Sequence, residues 1–478
     1  MSLFATKPLA RILRESESGE HQLKRSLGAW NLIALGIGAI IGAGLFALTP
    51  IAAQQMAGPA VIFSFLIAAV GCAFAGMCYS EFATMIPIAG SAYTYAYATM
   101  GELLAWIIGW DLVLEYAVGA ATVSVSWSKY LIRLLGTFGM SLPEAITKSP
   151  SEGGIVNLPA IFIVCLVSLV LIIGISESAK VNGFIVAVKV TIVILVIGLG
   201  FAYINRANYV PFIPPNEGEF GHFGISGIMR AAGVIFFAYI GFDAVSTAAQ
   251  EARNPQKDMP MGIIGSLAIC TVLYVGFAYV LTGIVNYKTM SPTAIYDALH
   301  AIGYDWLGTA VVIGILGGYT SVILVMLLGQ SRVFYSMSRD GLLPKLFSDI
   351  HPKHRTPWRC NLFFMIFVSL FSGFVPLSSL GDMTSIGTLL AFVIVCGGVM
   401  IMRKTQPDLP RPYRTPLVPL VPILGILVCF AMMASLDKLT WIRLVVWLII
   451  GLTIYFGYSR SRSHLVTDPE SSHQPVRK

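Results

Sequence analysis

Four ionisable side chains stand inside long apolar stretches of this sequence, where they could bind and release protons. Lys189 has valine, isoleucine and leucine on both sides, Asp243 lies about ten residues inside an apolar run, and Glu115 follows Asp111 by one helical turn. Burial disfavours a charged amine, so a lysine in such a setting is suited to exchanging a proton near neutral pH. Proton exchange inside the membrane is therefore predicted, with a structural ion pair between Lys189 and a buried acid as the alternative.

The stretch GIGAIIGAGLF, from Gly36 to Phe46, offers main-chain chemistry instead. Each of its four glycines costs a helix about 1 kcal/mol relative to alanine. A break at Ile41 to Gly44 would free N–H and C=O groups, which a membrane tolerates only where they are buried in protein or line a cavity. The stretch predicts recognition of a small polar molecule, while small-xxx-small spacing leaves close helix packing open. The spacing GxGxxxG differs from a dinucleotide fingerprint.

A second interruption is predicted between Gly233 and Pro255, in GVIFFAYIGFDAVSTAAQEARNP. A carboxylate such as Asp243 costs about 2.5 to 3.5 kcal/mol at this depth, so a functional role is the first hypothesis. Capping of the following half-helix is a compatible alternative. Because the two interruptions open the first and the second set of five spans, they are typical of an inverted-repeat transporter whose site lies where they meet.

The elements that must position these residues are membrane helices. The sequence is 56% hydrophobic and 12% charged, against about 25% charged residues in soluble domains. An all-α polytopic membrane protein is therefore predicted. With about 20 apolar residues per span, twelve spans are expected, at 28–54, 60–84, 96–127, 157–176, 181–204, 227–250, 262–285, 308–336, 360–376, 384–403, 416–434 and 440–458.

The charge distribution predicts the orientation. Most of the 31 lysine and arginine residues fall in segments on one side of these spans, which places both termini in the cytoplasm and the protein in the cytoplasmic membrane. The net charge of +7 then reflects topology, and no nucleic acid partner is expected. The first 25 or so residues are polar, so no cleavable signal peptide is expected. The seven cysteines form no CxxC pair, and neither a metal site nor a disulfide is predicted.

Several blocks together resemble one transporter family. They are GIGAIIGAGLF, FFAYIGFDAVSTAAQEARNPQKDMP, SRVFYSMSRDGLLP, DMTSIGTLLAF and RKTQPDLPRPYRTP. The chain is similar to the amino acid, polyamine and organocation superfamily, and within it to the bacterial branch of the cationic amino acid transporter family. The resemblance implies a LeuT-type fold, with two inverted five-helix repeats at 27–204 and 226–403, two further spans at 416–458, an N-terminal cytoplasmic segment at 1–26 and a tail at 459–478.

The resemblance also implies a substrate site. Amide groups of the unwound first helix would hold the substrate carboxylate, and carbonyls at both breaks would hold its ammonium group. The matching positions are Ile40, Ala43, Gly44, Phe237, Ala238 and Ile240. Opposed half-helix ends carry opposite partial charges and therefore suit a zwitterion independently of the resemblance. Phe236 or Phe237 could close over the ligand, or could simply pack.

Other roles follow from the same resemblance. The amine of Lys189 would replace a sodium ion and reach carbonyls near Ile37 and Gly38, with Glu115 and Asp243 taking part in proton coupling. Tyr319 would bound the side-chain pocket, either narrowing it towards small neutral amino acids or bonding a polar tail, so the substrate is left open between cationic and small neutral. Glu81 is expected to belong to the inner gate.

The predicted function is secondary active import of L-amino acids by proton symport and alternating access. An exchanger of the same fold and a non-transporting sensor are the alternatives. An enzyme is disfavoured because no nucleophile with a base stands within the spans. No cofactor is expected; the coupling ion is expected to be the proton and not sodium. The expected partners are the amino acid substrate and the lipid bilayer. A small membrane subunit or a sterol-like lipid is left open as a further partner.

Overall fold

The computed structural model describes residues 5–8, 27–86, 91–174, 179–247, 249 and 252–464. Eight helical stretches in these ranges are long and apolar enough to cross a membrane, and three shorter apolar helices accompany them. The first stretch, Ala29–Met85, has 57 residues, more than twice what one crossing needs. The described chain is thus a helical polytopic membrane protein, and its division into twelve spans stays a prediction. The predicted segment 1–26 and tail 459–478 lie largely outside the described residues.

The helices are numbered in chain order. They are α1 Ala29–Ile40, α2 Thr49–Ala52, α3 Val61–Met85, α4 Ser91–Thr99, α5 Glu102–Val113, α6 Gly119–Thr137, α7 Leu158–Ile173, α8 Ala179–Phe201, α9 Gly224–Ile235, α10 Ala244–Thr247, α11 Pro255–Ile284, α12 Ala294–Ala301, α13 Asp305–Arg339, α14 Trp358–Phe374, α15 Leu377–Thr405, α16 Leu420–Ser435, α17 Lys438–Ile454 and α18 Arg460–Arg462. Short π-helical turns adjoin three of these: Gly44–Leu48 precedes α2, and Ala53–Ala57, Leu114–Val118 and Tyr455–Ser459 follow α2, α5 and α17.

Both predicted interruptions are present. Helix α1 ends at Ile40, because Ile41 is extended with φ −71° and ψ 104°, and helical structure resumes at Gly44. Helix α9 ends at Ile235 and is followed by the 3-10 turn Phe236–Tyr239, after which the chain is extended before α10. Each interruption leaves main-chain polar groups without an intrahelical partner.

The helices form two packed groups. In the first group, α11 contacts α1 and α3, and α3 contacts α9; the two interruptions follow α1 and α9. Helices α6, α7, α13 and α14 form the second group. Helix α8 contacts α1, α11 and α13 and so connects the groups. Large apolar side chains face outwards, among them Phe184 at 70% and Ile442 at 57% exposure. Such outward apolar surfaces suit contact with lipid.

Helix α15 is bound by ion pairs at both of its ends. Near its start, Asp382 accepts from Nη2 of Arg230 at 2.9 Å. Near its end, Arg403 donates through Nε and Nη2 to Glu81 at 3.1 and 2.8 Å. The Glu81 side chain is 2% exposed and also accepts from the main-chain N–H of Thr415 at 2.7 Å. Fork-like pairing with arginine is among the stronger ionic contacts available to a buried carboxylate.

The two described chain ends meet on one face of the molecule, which we call the inner face; the opposite face is the outer face. Nζ of Lys7 donates to Asp340 at 2.7 Å, and Tyr93 donates to the same carboxylate at 2.7 Å. The main-chain N–H of His464 donates to the Asp340 carbonyl at 3.1 Å. Glu102 accepts from Tyr455 at 3.0 Å. The inner face is therefore closed partly by the segments at both chain ends.

Several helix boundaries differ from the predicted spans. The third span was expected to end at residue 127, yet α6 continues to Thr137. Ser124 and Ser126 donate to carbonyls three and four residues earlier, so their hydroxyls are satisfied within the helix and do not end it. Helix α4 overlaps the start of the predicted third span but is separate from α5, and α12 is a short helix between predicted spans.

Candidate functional site

The two interruptions touch each other. A Cβ atom added at Gly44 would lie 2.2 Å from Cα of Ala238, so only a glycine fits between these segments. Gly241 has φ +115°, and a Cβ there would lie 2.8 Å from the carbonyl oxygen of Ala39. A side chain at either position would push the segments apart. The glycines therefore allow two opposed helix ends to meet inside one packed group.

Main-chain carbonyls at both interruptions converge on one hydroxyl. Tyr274 of α11 points its hydroxyl at the carbonyl oxygens of Ile40 and Ala238, 2.9 Å from each. A phenol has one proton to donate, so the two carbonyls share it. The Tyr274 hydroxyl thus links the main-chain ends of both interruptions.

Lys189 lies beside the first interruption. Its side chain is buried, with the residue 2% exposed, and Nζ donates to the Gly38 carbonyl at 2.7 Å. The aliphatic part of the side chain crosses Gly318 of α13, where an added Cβ would lie 2.8 Å from Cε. Lys189 consequently joins α8 to the last turn of α1, at the point where that helix stops. Gain or loss of its proton would act directly on this connection.

Buried acids gather at the second interruption. The Asp243 carboxylate accepts a hydrogen bond from Tyr116 and from the main-chain N–H groups of Asp243 and Ala244, which caps α10. The Glu115 carboxyl faces Asp243 and the hydroxyl of Thr388. Two adjacent carboxylates in such a place repel each other unless they hold a proton between them.

Asp111 is also fully buried, and neither of its carboxylate oxygens has a hydrogen-bond partner in the described part of the chain. It acts electrostatically on Glu115 and lies against α15, because a Cβ at Gly387 would be 3.3 Å from its Oδ1. Asp111 thus lies in the protein interior, where an isolated carboxylate is costly unless neutral.

Aromatic rings border the interruptions on the side of α6 and α13. Tyr319 packs against Phe46, with ring centroids 6.4 Å apart, and edge-on against Tyr130 at 5.7 Å. Phe277 of α11 packs edge-on against Phe46 at 5.6 Å. Tyr130 donates to the Phe46 carbonyl at 3.0 Å, whereas the Tyr319 hydroxyl has no partner in the described residues. Phe46, Tyr130, Phe277 and Tyr319 together form an apolar surface, which we call the aromatic wall, and the hydroxyl of Tyr319 is available on it.

The structure thus brings together most of the residues singled out from the sequence. Those at or directly beside the interruptions are Gly38, Ile40, Gly44, Ala238, Lys189, Glu115 and Asp243. Ala43, Phe237 and Ile240 belong to the interrupted segments and are buried, and Ile37 lies in the last turn of α1. Phe236 packs against Phe392, with ring centroids 5.5 Å apart.

Sequence reasoning missed Tyr274, Tyr116 and Thr388. A tyrosine in an apolar span is a usable signal, because a buried phenol normally finds a hydrogen-bond partner. Tyr274 stands in AICTVLYVGFAYV, so its hydroxyl could have been assigned a polar target. The hydrogen-bond acceptors of this hydroxyl could not be predicted, because they are main-chain carbonyls, which every residue type has.

Comparisons with known proteins give the family. A family model described as amino acid permease matches residues 27–455. The branched-chain amino acid permease BcaP of Bacillus subtilis (strain 168) is 45% identical, over 97% of this chain and 99% of its own length. A methylthioribose transporter of the same organism is 42% identical over 97% and 99%. The vacuolar cationic amino acid transporter 4 of Arabidopsis thaliana is 35% identical over 85% of this chain and 68% of its own. These relatives are transporters, not enzymes, and the chain belongs to the amino acid permease family of the amino acid, polyamine and organocation superfamily.

Proposed function

We propose that this protein imports neutral L-amino acids with branched or similarly sized apolar side chains across the cytoplasmic membrane, by proton-coupled symport. The observation that carries the proposal is the meeting of two interrupted helices. Carbonyls of Ile40 and Ala238 point at one hydroxyl, 2.9 Å from each, and supply a place for an ammonium group. The N-terminal end of the segment that begins at Gly44 supplies the positive partial charge for a carboxylate.

The aromatic wall supports the choice of side chain. Phe46, Phe277 and Tyr319 present apolar ring surface next to the interruptions, which favours an aliphatic substrate side chain. The acids nearest the second interruption, Glu115 and Asp243, lie next to each other. A substrate with a cationic side chain would need one of these two carboxylates as its partner. The branched-chain permease of Bacillus subtilis, 45% identical, points the same way.

Lys189 is the proposed coupling group. With a proton, its amine holds α8 to the Gly38 carbonyl at the end of α1; without one, it has lost a donor and that connection loosens. The pair of Glu115 and Asp243 would hold a proton at the second interruption, where it can respond to movement of α10. Alternating access of the central site would follow from these two connections, in the LeuT-type arrangement that the resemblance implies.

Uptake into proteoliposomes tests the proposal. The purified chain should accumulate labelled L-leucine when the lumen is made alkaline relative to the medium, and accumulation should collapse with a protonophore. L-arginine should compete poorly. Accumulation that needs preloaded amino acid and ignores the pH gradient would establish the exchanger instead. Binding without any uptake would establish a sensor.

A second candidate substrate has a specific observation behind it. The methylthioribose transporter is 42% identical over nearly the whole chain, and the Tyr319 hydroxyl has no partner among the described residues. A sugar thioether would place its methylthio group against the aromatic wall and a ring hydroxyl on Tyr319. Competition of methylthioribose with L-leucine in the same assay decides between the two.

A further inference from the structure

Three buried hydroxyl groups lie between the second interruption and the inner face. They belong to Tyr79 of α3, Tyr95 of α4 and Ser246 of α10, and each residue is at most 1% exposed. None of the three oxygen atoms has a hydrogen-bond partner among the described residues. A buried hydroxyl without a partner is costly, and ordered water is the usual partner where protein groups do not supply one. Three such groups in one region therefore indicate a place for bound water.

The three hydroxyl groups share one region of the interior. The Tyr95 hydroxyl faces that of Ser246, although the geometry falls short of a hydrogen bond. The rings of Tyr79 and Tyr95 pack edge-on, with centroids 6.4 Å apart. Phe242 and Phe392 pack edge-on against Tyr79, with centroids at 5.7 and 5.4 Å. The polar groups thus lie together within a border of aromatic rings.

One end of this region is the pair of acids at the second interruption. Tyr79 is close enough to Glu115 and Asp243 for its hydroxyl to be influenced by both carboxyl groups. The main-chain N–H of Ser246 donates to the Asp243 carbonyl at 2.8 Å, so both residues belong to the same helical turn. The hydroxyl groups therefore begin beside the two acids that hold a proton in the proposed function.

The other end of the region is α4, which lies at the inner face. Tyr93 and Tyr97 of this helix donate to Asp340 at 2.7 Å and to Glu102 at 3.1 Å. Residues two apart in an α-helix point in nearly opposite directions, so Tyr95 faces the interior. An α-helix is about 10 to 12 Å across with its side chains. The width of one helix therefore separates the Tyr95 hydroxyl from the acids of the inner face.

We propose that Tyr79, Tyr95 and Ser246 position a short chain of water molecules, through which the coupling proton passes from Glu115 and Asp243 to the inner face. The acids give up the proton and are left as carboxylates. Each water or hydroxyl accepts a proton on one side as it releases one on the other, so the hydroxyl groups end unchanged and water at the inner face receives the proton. The route rests on the proposed function, because it takes the proton as the coupling ion.

Leucine transport in proteoliposomes tests the route, because net accumulation needs release of the proton whereas leucine–leucine exchange does not. Tyr95→Phe and Ser246→Ala each remove one oxygen atom. We expect accumulation driven by a lumen-alkaline pH gradient to slow about tenfold in each, the effect of losing one hydrogen bond, while exchange keeps the wild-type rate. Ser246→Thr keeps a hydroxyl and should restore accumulation. Ser80→Ala is the matched control, since Ser80 is equally buried and its hydroxyl already donates to the Gly76 carbonyl at 2.7 Å.

Radiolytic hydroxyl-radical labelling of the full chain in lipid nanodiscs tests for the water itself, because radicals formed from bound water modify the side chains beside it. Tyr79 and Tyr95 should be modified. Tyr274 is equally buried, but its hydroxyl is 2.9 Å from each of two carbonyl oxygens, so it should stay unmodified.

The outcomes separate this route from the proposed function. The route is overturned if Tyr79 and Tyr95 are as inert as Tyr274, or if Tyr95→Phe and Ser246→Ala accumulate leucine as the wild type does. Equal losses of accumulation and exchange would also overturn it, because the hydroxyl groups would then act on the structure as a whole. A wild type that ignores the pH gradient would overturn the proposed function and the proton route with it, whereas modified Tyr79 and Tyr95 would still establish the bound water.

Discussion

Replacement of Gly44 by alanine should separate the two interrupted segments and disable the site. The added Cβ would lie 2.2 Å from Cα of Ala238, whereas an ordinary contact begins at 3.4 Å. The segments must therefore move apart by about 1.2 Å. Overpacking of this kind costs about 1 to 3 kcal/mol of stability. A displacement of about 1 Å in a preorganised site costs about 10²-fold in activity, so we expect L-leucine uptake to fall by about two orders of magnitude.

Gly42→Ala is the matched control, because its Cβ would make only ordinary contacts, with Val322 at 3.5 and 3.8 Å and with the Ile40 carbonyl oxygen at 3.9 Å. That variant should keep most of its uptake. Both variants would be purified, compared by thermal unfolding to verify that they fold, and assayed for L-leucine affinity and uptake in proteoliposomes. Wild-type affinity in Gly44→Ala, or an equal loss in both variants, would refute the claim that the two helix interruptions form the substrate site by direct contact.

Three further variants probe the neighbouring groups. Lys189→Ala removes the donor to the Gly38 carbonyl and should abolish accumulation driven by a pH gradient, while some substrate binding remains. Lys288→Ala, in an outer loop, is the control. Gradient-driven accumulation by Lys189→Ala would refute proton coupling through Lys189. Tyr274→Phe removes the hydroxyl shared by two carbonyls, and each lost hydrogen bond is worth about 1 kcal/mol, so thermal stability should fall. Added L-leucine should then stabilise this variant more than it stabilises the wild type. An unchanged response to the ligand would count against an ammonium site there. Tyr319→Ala opens the aromatic wall and should shift competition towards larger side chains such as phenylalanine, and an unaltered substrate ranking would place the side-chain pocket elsewhere.

The positions of the two interruptions could be predicted from the sequence, but the contact between them could not. Glycine content and the depth of Asp243 were enough to place both breaks, because each residue type disturbs a membrane helix locally. The fit of Gly44 against Ala238 depends on two segments almost 200 residues apart, and no local pattern encodes it. The pairing of Glu115 with Asp243 has the same origin. The Lys189 amine bonds the Gly38 carbonyl, which is one of the two positions that the resemblance implied.

Helix ends were harder to predict than helix centres. The extension of α6 to Thr137 includes Lys129 and Arg133, whose side chains pair with Glu152 and Asp297, so charged residues are compatible with a continuous helix here. The network around Glu81 joins residues from three regions, two of them beyond residue 400. Its acid was assigned to the inner gate, but nothing in the sequence indicated that Arg403 and the N–H of Thr415 would hold it.

Helix α15 has a mechanical consequence because it is anchored at both ends. Asp382 and Arg403 are separated by 21 residues, or about 30 Å of stiff rod. A tilt of about 10° would carry one end of the helix roughly 5 Å from its partner while the other end stayed in place. The helix could therefore pivot about the arginine–carboxylate ion pair at either end. Arg403 makes two hydrogen bonds to its carboxylate and Arg230 makes one to Asp382, so separation at the start of α15 would cost less than separation at its end. Helix α15 would therefore tilt more easily about its end near Arg403 than about its start.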